Sequence, residues 1–351
     1  MAHLKQKAAV VGTDGGVTLG EVDVQKPGPG EILVKIVAAA QNPIDLKLIH
    51  ANQTGSVLGC DFAGVVEEIG PAVPEGLRTI GERVAGFVLG DVSGPSGAFT
   101  EYVVATADLV IHIPDDWSFE EGAQLGIVAY TTCQVLYQTH SFPTPLDEPL
   151  PASTAPTLLV TGGASSVGLY VIQFAALAGL RVITTARPAS FDLVKAYGAD
   201  AVVDYTAPDA PAQIRALVGG PLLHIVDCIG EYGTPELVAA VVADAGTLVA
   251  TTVPYATPLK SAGTTVTFAL SFHLLGKPIQ FPFPGPRDEA LAELGKKYTK
   301  LIEAVVATGK IKPNPVLVIP SGLAGVSEGF KYAAEGKVRG QKVTYRIAET
   351  P

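Results

Sequence analysis

The chain reads as an α/β protein in which a small, partly closed β-barrel accompanies a doubly wound parallel sheet. Three observations predict this. Residues 157–204 spell strand, glycine turn, helix, strand, helix, strand. The first hundred or so residues are a run of short strand-like segments punctuated by Gly and Pro. After Asp204 the α/β alternation continues, which gives a parallel sheet covered by helices.

In the β-rich part the expected strands are Lys7–Val11, Val17–Val22, Glu31–Ala40, Phe62–Ile69, Arg83–Val88 and Ala98–Val104. A helix is expected over Ser118–Leu136. The proline-dense stretch Ser141–Pro156 cannot form a regular element and reads as a surface loop. Leu158–Thr161 is a short apolar run of the buried parallel-strand type. Gly162 and Gly163 end it, and Ser165, Ser166, Val167 and Gly168 open a helix to about Leu177. Gly179 stops that helix and Arg181–Thr185 is the next β-branched run. Ile214–Val218 and Glu236–Val242 read as helices, Leu223–Cys228 and Gly246–Thr252 as strands. Gly276–Pro286 breaks the alternation, because proline cannot donate to a strand ladder. Asp288–Thr308 is a long helix with Leu291, Leu294, Tyr298, Leu301, Ile302 and Val305 along one face. Val316–Ile319, a helix near Val326–Ala334, and Lys342–Ile347 close the chain.

The spacing at Gly163, Ala164, Ser165, Ser166, Val167 and Gly168 suits a phosphate. Glycines let the backbone approach a pyrophosphate, and a helix start offers unpaired N–H groups and a positive dipole end. The two serines can add hydroxyl donors. A glycine turn alone is weak evidence; the strand before it and the βα unit after it strengthen the dinucleotide reading. An NAD site places an acid at the end of the second strand, about twenty residues past the turn, for the ribose 2′-OH. Here that strand ends Thr184-Thr185-Ala186-Arg187, with no acid. Arg187, Ser190, Lys195 and Tyr205 are candidates for a 2′-phosphate, which favours NADPH. The plain alternative makes Arg187 and Lys195 solvated charges. Thr251 and Thr252 end a Rossmann strand at the edge where such cofactors bind.

Length and composition bound the rest. The chain's 351 residues are too many for one simple core, which predicts two domains. It is 48% hydrophobic and 17% charged, so a packed protein rather than a disordered one. A net charge of −10 argues against a nucleic-acid partner. No apolar run reaches the length of a membrane span, and the first residues carry no signal-peptide pattern, so the expectation is no membrane and a cytoplasmic site. Cys60, Cys133 and Cys228 are far apart, lack any C-x-x-C, and read as buried small hydrophobes.

Several segments together resemble the medium-chain dehydrogenase/reductase superfamily. They are Asn42-Pro43-Ile44-Asp45-Leu46-Lys47, Gly59-Cys60-Asp61-Phe62-Ala63-Gly64, Gly81-Glu82-Arg83-Val84, Gly97-Ala98-Phe99-Thr100-Glu101-Tyr102, Gly162–Gly168, Gly198-Ala199-Asp200 and Gly340-Gln341-Lys342-Val343. The resemblance implies a GroES-like β-barrel catalytic domain of residues 1–125 and 287–351 with a Rossmann NADP-binding domain, residues 126–286, inserted. It also implies nicotinamide in a cleft between domains, with Gly340 near the cofactor. Zinc-dependent members look similar but carry a cysteine where Asn42 stands and a histidine where Cys60 stands, so no zinc is expected.

Within the zinc-free branch the chain is similar to fungal enoyl reductases that work in trans with polyketide synthases. Ala186-Arg187-Pro188-Ala189-Ser190-Phe191-Asp192-Leu193-Val194-Lys195, Val203-Asp204-Tyr205, His224-Ile225-Val226-Asp227-Cys228-Ile229 and the Gly276–Pro286 insertion carry that likeness. The insertion replaces a strand by which relatives dimerise, which implies a monomer. The resemblance implies an NADPH-dependent reductase of an α,β-unsaturated carbonyl, free or bound to a carrier protein.

Asn42, Asp45 and Lys47 are then the candidate catalytic residues. Lys47 binds cofactor or polarises the carbonyl oxygen; read plainly, Asp45 and Lys47 are an ordinary i, i+2 loop pair. Asn42 meets the nicotinamide or caps the following helix, and Asp61 orients Lys47 or satisfies a turn. Tyr130, Thr131, Thr132, Leu270 and Phe272 are expected to line the substrate. Relatives often carry a tyrosine proton donor after N-P-x-D; here there is none, and water, His50 or Tyr130 remain. Quinone reduction, which needs no dedicated acid, and non-catalytic NADPH binding are the alternatives.

Overall fold

A computed structural model of the chain describes residues 4–49, 53–90, 96–243, 246–259, 263–280 and 283–351. Its strands and helices begin with β1 Lys5–Val11, β2 Val17–Asp23, β3 Glu31–Ala40, α1 Pro43–Ile49, β4 Asp61–Ile69, β5 Arg83–Phe87, β6 Tyr102–Thr106 and β7 Ile111–His112. Then come α2 Phe119–Gly122, α3 Ile127–Cys133, β8 Thr157–Thr161, α4 Ser166–Leu177, β9 Arg181–Ala186, α5 Phe191–Ala196, β10 Ala201–Asp204 and α6 Ala210–Val218. The rest are β11 His224–Asp227, α7 Thr234–Val241, β12 Leu248–Thr251, β13 Thr265–Phe268, α8 Glu289–Ala307, β14 Val316–Ile319, α9 Val326–Ala334 and β15 Lys342–Arg346. Contacts divide the chain into two compact units. The first is Met1–Tyr130, Ser271–Ala307 and Pro313–Pro351; the second is Thr131–Leu270 and Thr308–Lys312. Residues 276–280 and 283–286 of the proline-rich segment, which the sequence reading places in the Rossmann domain, fall by this division in the first unit.

In the first unit, ten-residue β3 organises a curled sheet of order β14-β15-β3-β4-β5-β7. One edge of β3 serves two partners in turn. Residues 31–35 pair with β6 and residues 38–40 with β15. The opposite edge pairs with β4 throughout, and register shifts at Leu33/Val34 and Ile36/Ala38 mark bulges that bend the strand. Ile32, Val34 and Ile36 alternate inward against Phe62, Val84 and Tyr345, the period-2 pattern of a half-buried strand. Burying each such aliphatic side chain contributes about 1.5–3 kcal/mol.

Two expectations in this unit need correction. The helix over Ser118–Leu136 is interrupted. A Ser118–Glu121 capping box starts α2, which ends at Gly122. The chain restarts as α3 because the buried Asp61 carboxylate accepts the Ile127 N–H at 2.8 Å. The buried face of α8 is also rotated from the leucine stripe. Ala292, Gly295, Tyr298, Thr299, Ile302, Val305 and Val306 face inward, and Leu291, Leu294 and Leu301 are half-buried. Gly295 decides this: a Cβ there would stand 2.4 Å from the Leu274 carbonyl oxygen, so the backbones meet where side chains would not fit.

The second unit is a six-stranded, all-parallel sheet of order β10-β9-β8-β11-β12-β13. Leu159, Ile183, Val203, Ile225 and Val249 supply one core residue from each of five strands. The strand order reverses between β8 and β11, the switch point at which open α/β sheets bind ligands. The sixth strand, β13, was not anticipated. Its side chains are mostly exposed, so it carries no buried apolar run, and it forms by pairing with β12. No described helix is long and apolar enough to cross a membrane. All three cysteines are buried.

Candidate functional site

The glycine turn is built as a tight βα connection. Gly162 adopts φ +69°, and a Cβ on Gly168 would lie 2.4 Å from the Gly162 carbonyl oxygen. Ser165 is the N-cap of α4, its hydroxyl oxygen accepting the Gly168 N–H at 3.0 Å. That hydroxyl also bonds the Cys228 thiol, at the end of the strand across the switch point. The N–H groups of Gly162 and Gly163 donate to Thr185 on β9, and those of Ser165 and Gly168 bond within the turn. Among the described residues the amides of Ala164 and Val167 make no such bond. A twelve-residue helix opening with unspent amides fits the pyrophosphate of a dinucleotide.

At the end of β9, Arg187 and Tyr205 come together: Arg187 Nε donates to the Tyr205 hydroxyl at 2.8 Å. Both are exposed. Ser190 is half-buried in the short turn before α5, and Lys195 is exposed on α5. Thr251 is buried, its hydroxyl donating to the Val253 carbonyl at 2.6 Å, while Thr252 is half-buried.

A residue to which no role was assigned braces this edge. Asp227 ends β11, fully buried, and accepts from Thr161 Oγ1 at 2.7 Å, from the Ile229 and Gly230 amides at 3.0 Å each, from Thr234 Oγ1 at 2.9 Å and from the Tyr255 hydroxyl at 2.8 Å. It ties the β8 and β11 ends together across the switch point. Burial, then the Asp227 charge, raises the Tyr255 phenol pKa, so Tyr255 stays a donor. The signal in the sequence was an acid closing the fourth strand of the alternation.

In the first unit, Asn42 does not cap α1 with its side chain. Instead Asp45 Oδ2 accepts the Asn42 N–H at 2.6 Å, half of a capping box. The Asn42 amide donates to Asp61 Oδ2 at 2.8 Å and accepts from Lys342 Nζ at 2.6 Å. Lys342 Nζ also lies 3.1 Å from Asp61 Oδ2, closing a buried triad. Asp45 is fully buried, and burial first raises its pKa to about 7, against the lowering bonds from Cys60 and Asn42. Burial, then the Asp45 charge, holds the Cys60 thiol well above its ordinary pKa. Lys47 lies exposed on α1, which replaces the loop expected of a plain Asp45–Lys47 pair. Lys342 sits in the quoted Gly340–Val343 segment, and its role was missed because its partners are about 300 residues away in sequence. Gly340 itself is a buried turn residue with φ +64°.

These residues do not fit a catalytic zinc. Asn42 is a neutral amide engaged on both its atoms, Cys60 holds its proton, and the Lys342 ammonium already balances Asp61. Among the described residues no His/Cys/Asp/Glu group is arranged to hold a metal.

The expected substrate residues are core side chains in their own units. Tyr130 is fully buried and its hydroxyl bonds the Leu109 carbonyl at 2.8 Å and Thr299 Oγ1 at 2.6 Å. Thr131, Thr132, Leu270 and Phe272 are buried too. His50 lies outside the described residues.

Residues 166–276 match the zinc-binding dehydrogenase family and residues 28–115 the alcohol dehydrogenase GroES-like domain. A trans-enoyl reductase of Alternaria alternata, ACTTS2, is 35% identical over 98% of this chain and 99% of its own. The trans-enoyl reductase caaB of Aspergillus niger is 34% identical over 97% of each. The chain belongs to the trans-enoyl reductase family of the medium-chain dehydrogenase/reductase superfamily. An alcohol dehydrogenase superfamily protein from Novosphingobium aromaticivorans shares the fold, with TM-score 0.77 at 22% identity, over 97% of this chain and 99% of that one. The trans-enoyl reductase family supplies the frame for the sites above: a GroES-like unit, a Rossmann unit, and an oxidoreductase of the NAD(P)H-binding kind.

Proposed function

We propose that the chain is an NADPH-dependent enoyl reductase acting without zinc on the C=C of an α,β-unsaturated thioester, in trans with a polyketide synthase, as a cytoplasmic monomer. The observation that carries this reading is identity of about one third, over nearly the full length, to proteins named trans-enoyl reductases. NADPH rather than NADH is supported by the Arg187–Tyr205 pair standing where an NAD site would need an acid.

NADPH, when bound, would supply a hydride for the β-carbon of the conjugated C=C. The amides of Ala164 and Val167 and the α4 dipole would hold its pyrophosphate, and Arg187 would meet its 2′-phosphate. Lys47 offers a cation for the charge developing on the carbonyl oxygen. Asn42 and Asp45 hold the start of the helix that carries it. The α-carbon proton would come from water or His50, since the Tyr130 hydroxyl is already committed within the core.

The test is NADPH oxidation, followed by its absorbance, with a crotonyl thioester, a simple enone and a quinone in parallel, repeated with Lys47→Ala. Thioester and enone turnover is expected, lowered on the order of 10²-fold in the variant. Turnover of quinone alone would move the assignment to a quinone oxidoreductase. Tight NADPH binding without oxidation by any acceptor would leave a strictly carrier-bound substrate or a non-catalytic protein.

A further inference from the structure

Three neighbouring strands of the first unit reach the same end of their sheet, and buried polar side chains meet there. β15 begins at Lys342, β3 ends at Ala40 just before Gln41 and Asn42, and β4 begins at Asp61, with β3 between the other two. Ala40 stands opposite Asp61 on one side and Thr344 on the other, so the register itself delivers the Asn42–Asp61–Lys342 triad. All three residues are buried. Lys342 Nζ donates to Asn42 Oδ1 at 2.6 Å and to Asp61 Oδ2 at 3.1 Å, and Asn42 Nδ2 donates to that same Asp61 oxygen at 2.8 Å. The Asn42 amide is thereby held at both ends, in one orientation.

Asn42 in turn starts α1. Its backbone N–H donates to Asp45 Oδ2 at 2.6 Å, and its carbonyl accepts the Asp45 N–H at 3.1 Å. The other Asp61 oxygen holds a second helix start, the Ile127 N–H of α3 at 2.8 Å. The approach is close enough that a Cβ on Gly126 would lie 2.2 Å from that oxygen. One carboxylate therefore ties two helix starts to the sheet end, and the Lys342 ammonium balances its charge away from water. A buried ion pair adds little net stability over packed apolar side chains, because desolvation offsets the attraction. What this pair contributes is placement.

We propose that Lys342 is a positioning residue for the reduction: through Asp61 and Asn42 it fixes the start of α1, and so the placement of Lys47 on that helix. The proposal rests on the enoyl-reductase reading with Lys47 as its cation. Misplacing a reacting group by about 1 Å costs on the order of 10²-fold in rate, so the anchoring of a seven-residue helix bears on turnover.

The test uses two changes in the full chain. Lys342→Met paired with Asp61→Asn removes both charges together, and Asn42→Ala keeps the ion pair but cuts its link to α1. Each is assayed with crotonyl-pantetheine and NADPH, with Lys47 present and with Lys47→Ala. Both should lower kcat by about tenfold or more when Lys47 is present, and by no more than about twofold once it is gone, since a placement cannot be lost twice. Crotonyl-pantetheine KM and NADPH Kd should stay within about twofold of wild type. A kcat unchanged in either variant, or equal losses with and without Lys47, makes the triad a brace of the fold alone and overturns the proposal. If the paired variant does not fold, Asn42→Ala decides by itself. If wild type reduces no thioester, the enoyl-reductase reading fails separately, and the anchoring is judged by amide hydrogen exchange over residues 43–49. Exchange about tenfold faster or more in the variants, with the second unit unchanged, supports it; equal protection overturns it.

Discussion

Replacing His140 by glutamine should remove one contribution to the pH dependence of stability, the one that His140 makes between about pH 6.5 and pH 4. His140 is buried in the second unit, stacked on Phe142 with ring centroids 5.2 Å apart and met edge-on by His224. Its Nε2 lies 3.1 Å from the Ile225 carbonyl, which can only accept, so Nε2 carries the hydrogen. The bare Nδ1 then accepts from His224 Nδ1 at 3.3 Å. A second proton on His140 would place two hydrogens in that gap, away from water. Burial first, and His224 next, lower the His140 pKa from 6.5 to about 4, while the Ile225 carbonyl opposes them. Above pH 6.5 the imidazole is neutral in both states and stability is unaffected. Below it the unfolded chain takes a proton that the folded chain refuses. Stability therefore falls as pH falls, by roughly 1.4 kcal/mol per unit and about 3 kcal/mol in all, and levels off below pH 4. Glutamine can still donate to the Ile225 carbonyl but does not titrate. Urea unfolding of both proteins across this range should show wild type losing about 3 kcal/mol relative to His140→Gln. Parallel pH profiles would refute the reasoning, as would an imidazole that titrates near 6.5 by NMR in the folded protein.

Three further outcomes follow from the site. Lys342→Met should cost about 3–5 kcal/mol in urea unfolding, because it strands the buried Asp61 carboxylate, and adding Asp61→Asn should recover much of that. Gly168→Ala forces a Cβ against the Gly162 carbonyl, so the turn must open; NADPH Kd by fluorescence titration should rise about tenfold or more. Arg187→Ala should weaken NADPH by about 10–100-fold, the worth of one charge-assisted contact, and leave NADH binding unchanged.

Much of the fold was legible because its signals are local. The strand–glycine–helix order at Thr157–Leu177 is a pattern within twenty-odd residues, and α4 and its cap formed where the residues put them. β3 was readable over its full Glu31–Ala40 span as a strand-like apolar run bounded by glycine and proline turns. Local signals failed where a partner decided. β13 exists by pairing with β12, and the face of α8 was turned by the approach of Leu274 to Gly295. The helix after Ser118 was cut by an Asp61 carboxylate far off in sequence.

The candidate site divides the same way. Asn42, Asp45, Lys47 and the glycine turn could be named from residue types at fixed spacing. That Ser165 bonds Cys228 and Gly168, or that Tyr130 is a core hydroxyl, could not, since hydrogen-bond partners depend on which segments meet. By itself the sequence determined the element order, the dinucleotide turn and the missing acid that points to NADPH, because each is written in neighbouring residues. The tertiary structure alone decided the Asn42–Asp61–Lys342 triad and the Asp227 brace. Each joins segments distant in sequence, and a buried charge has no meaning until the chain has folded around it.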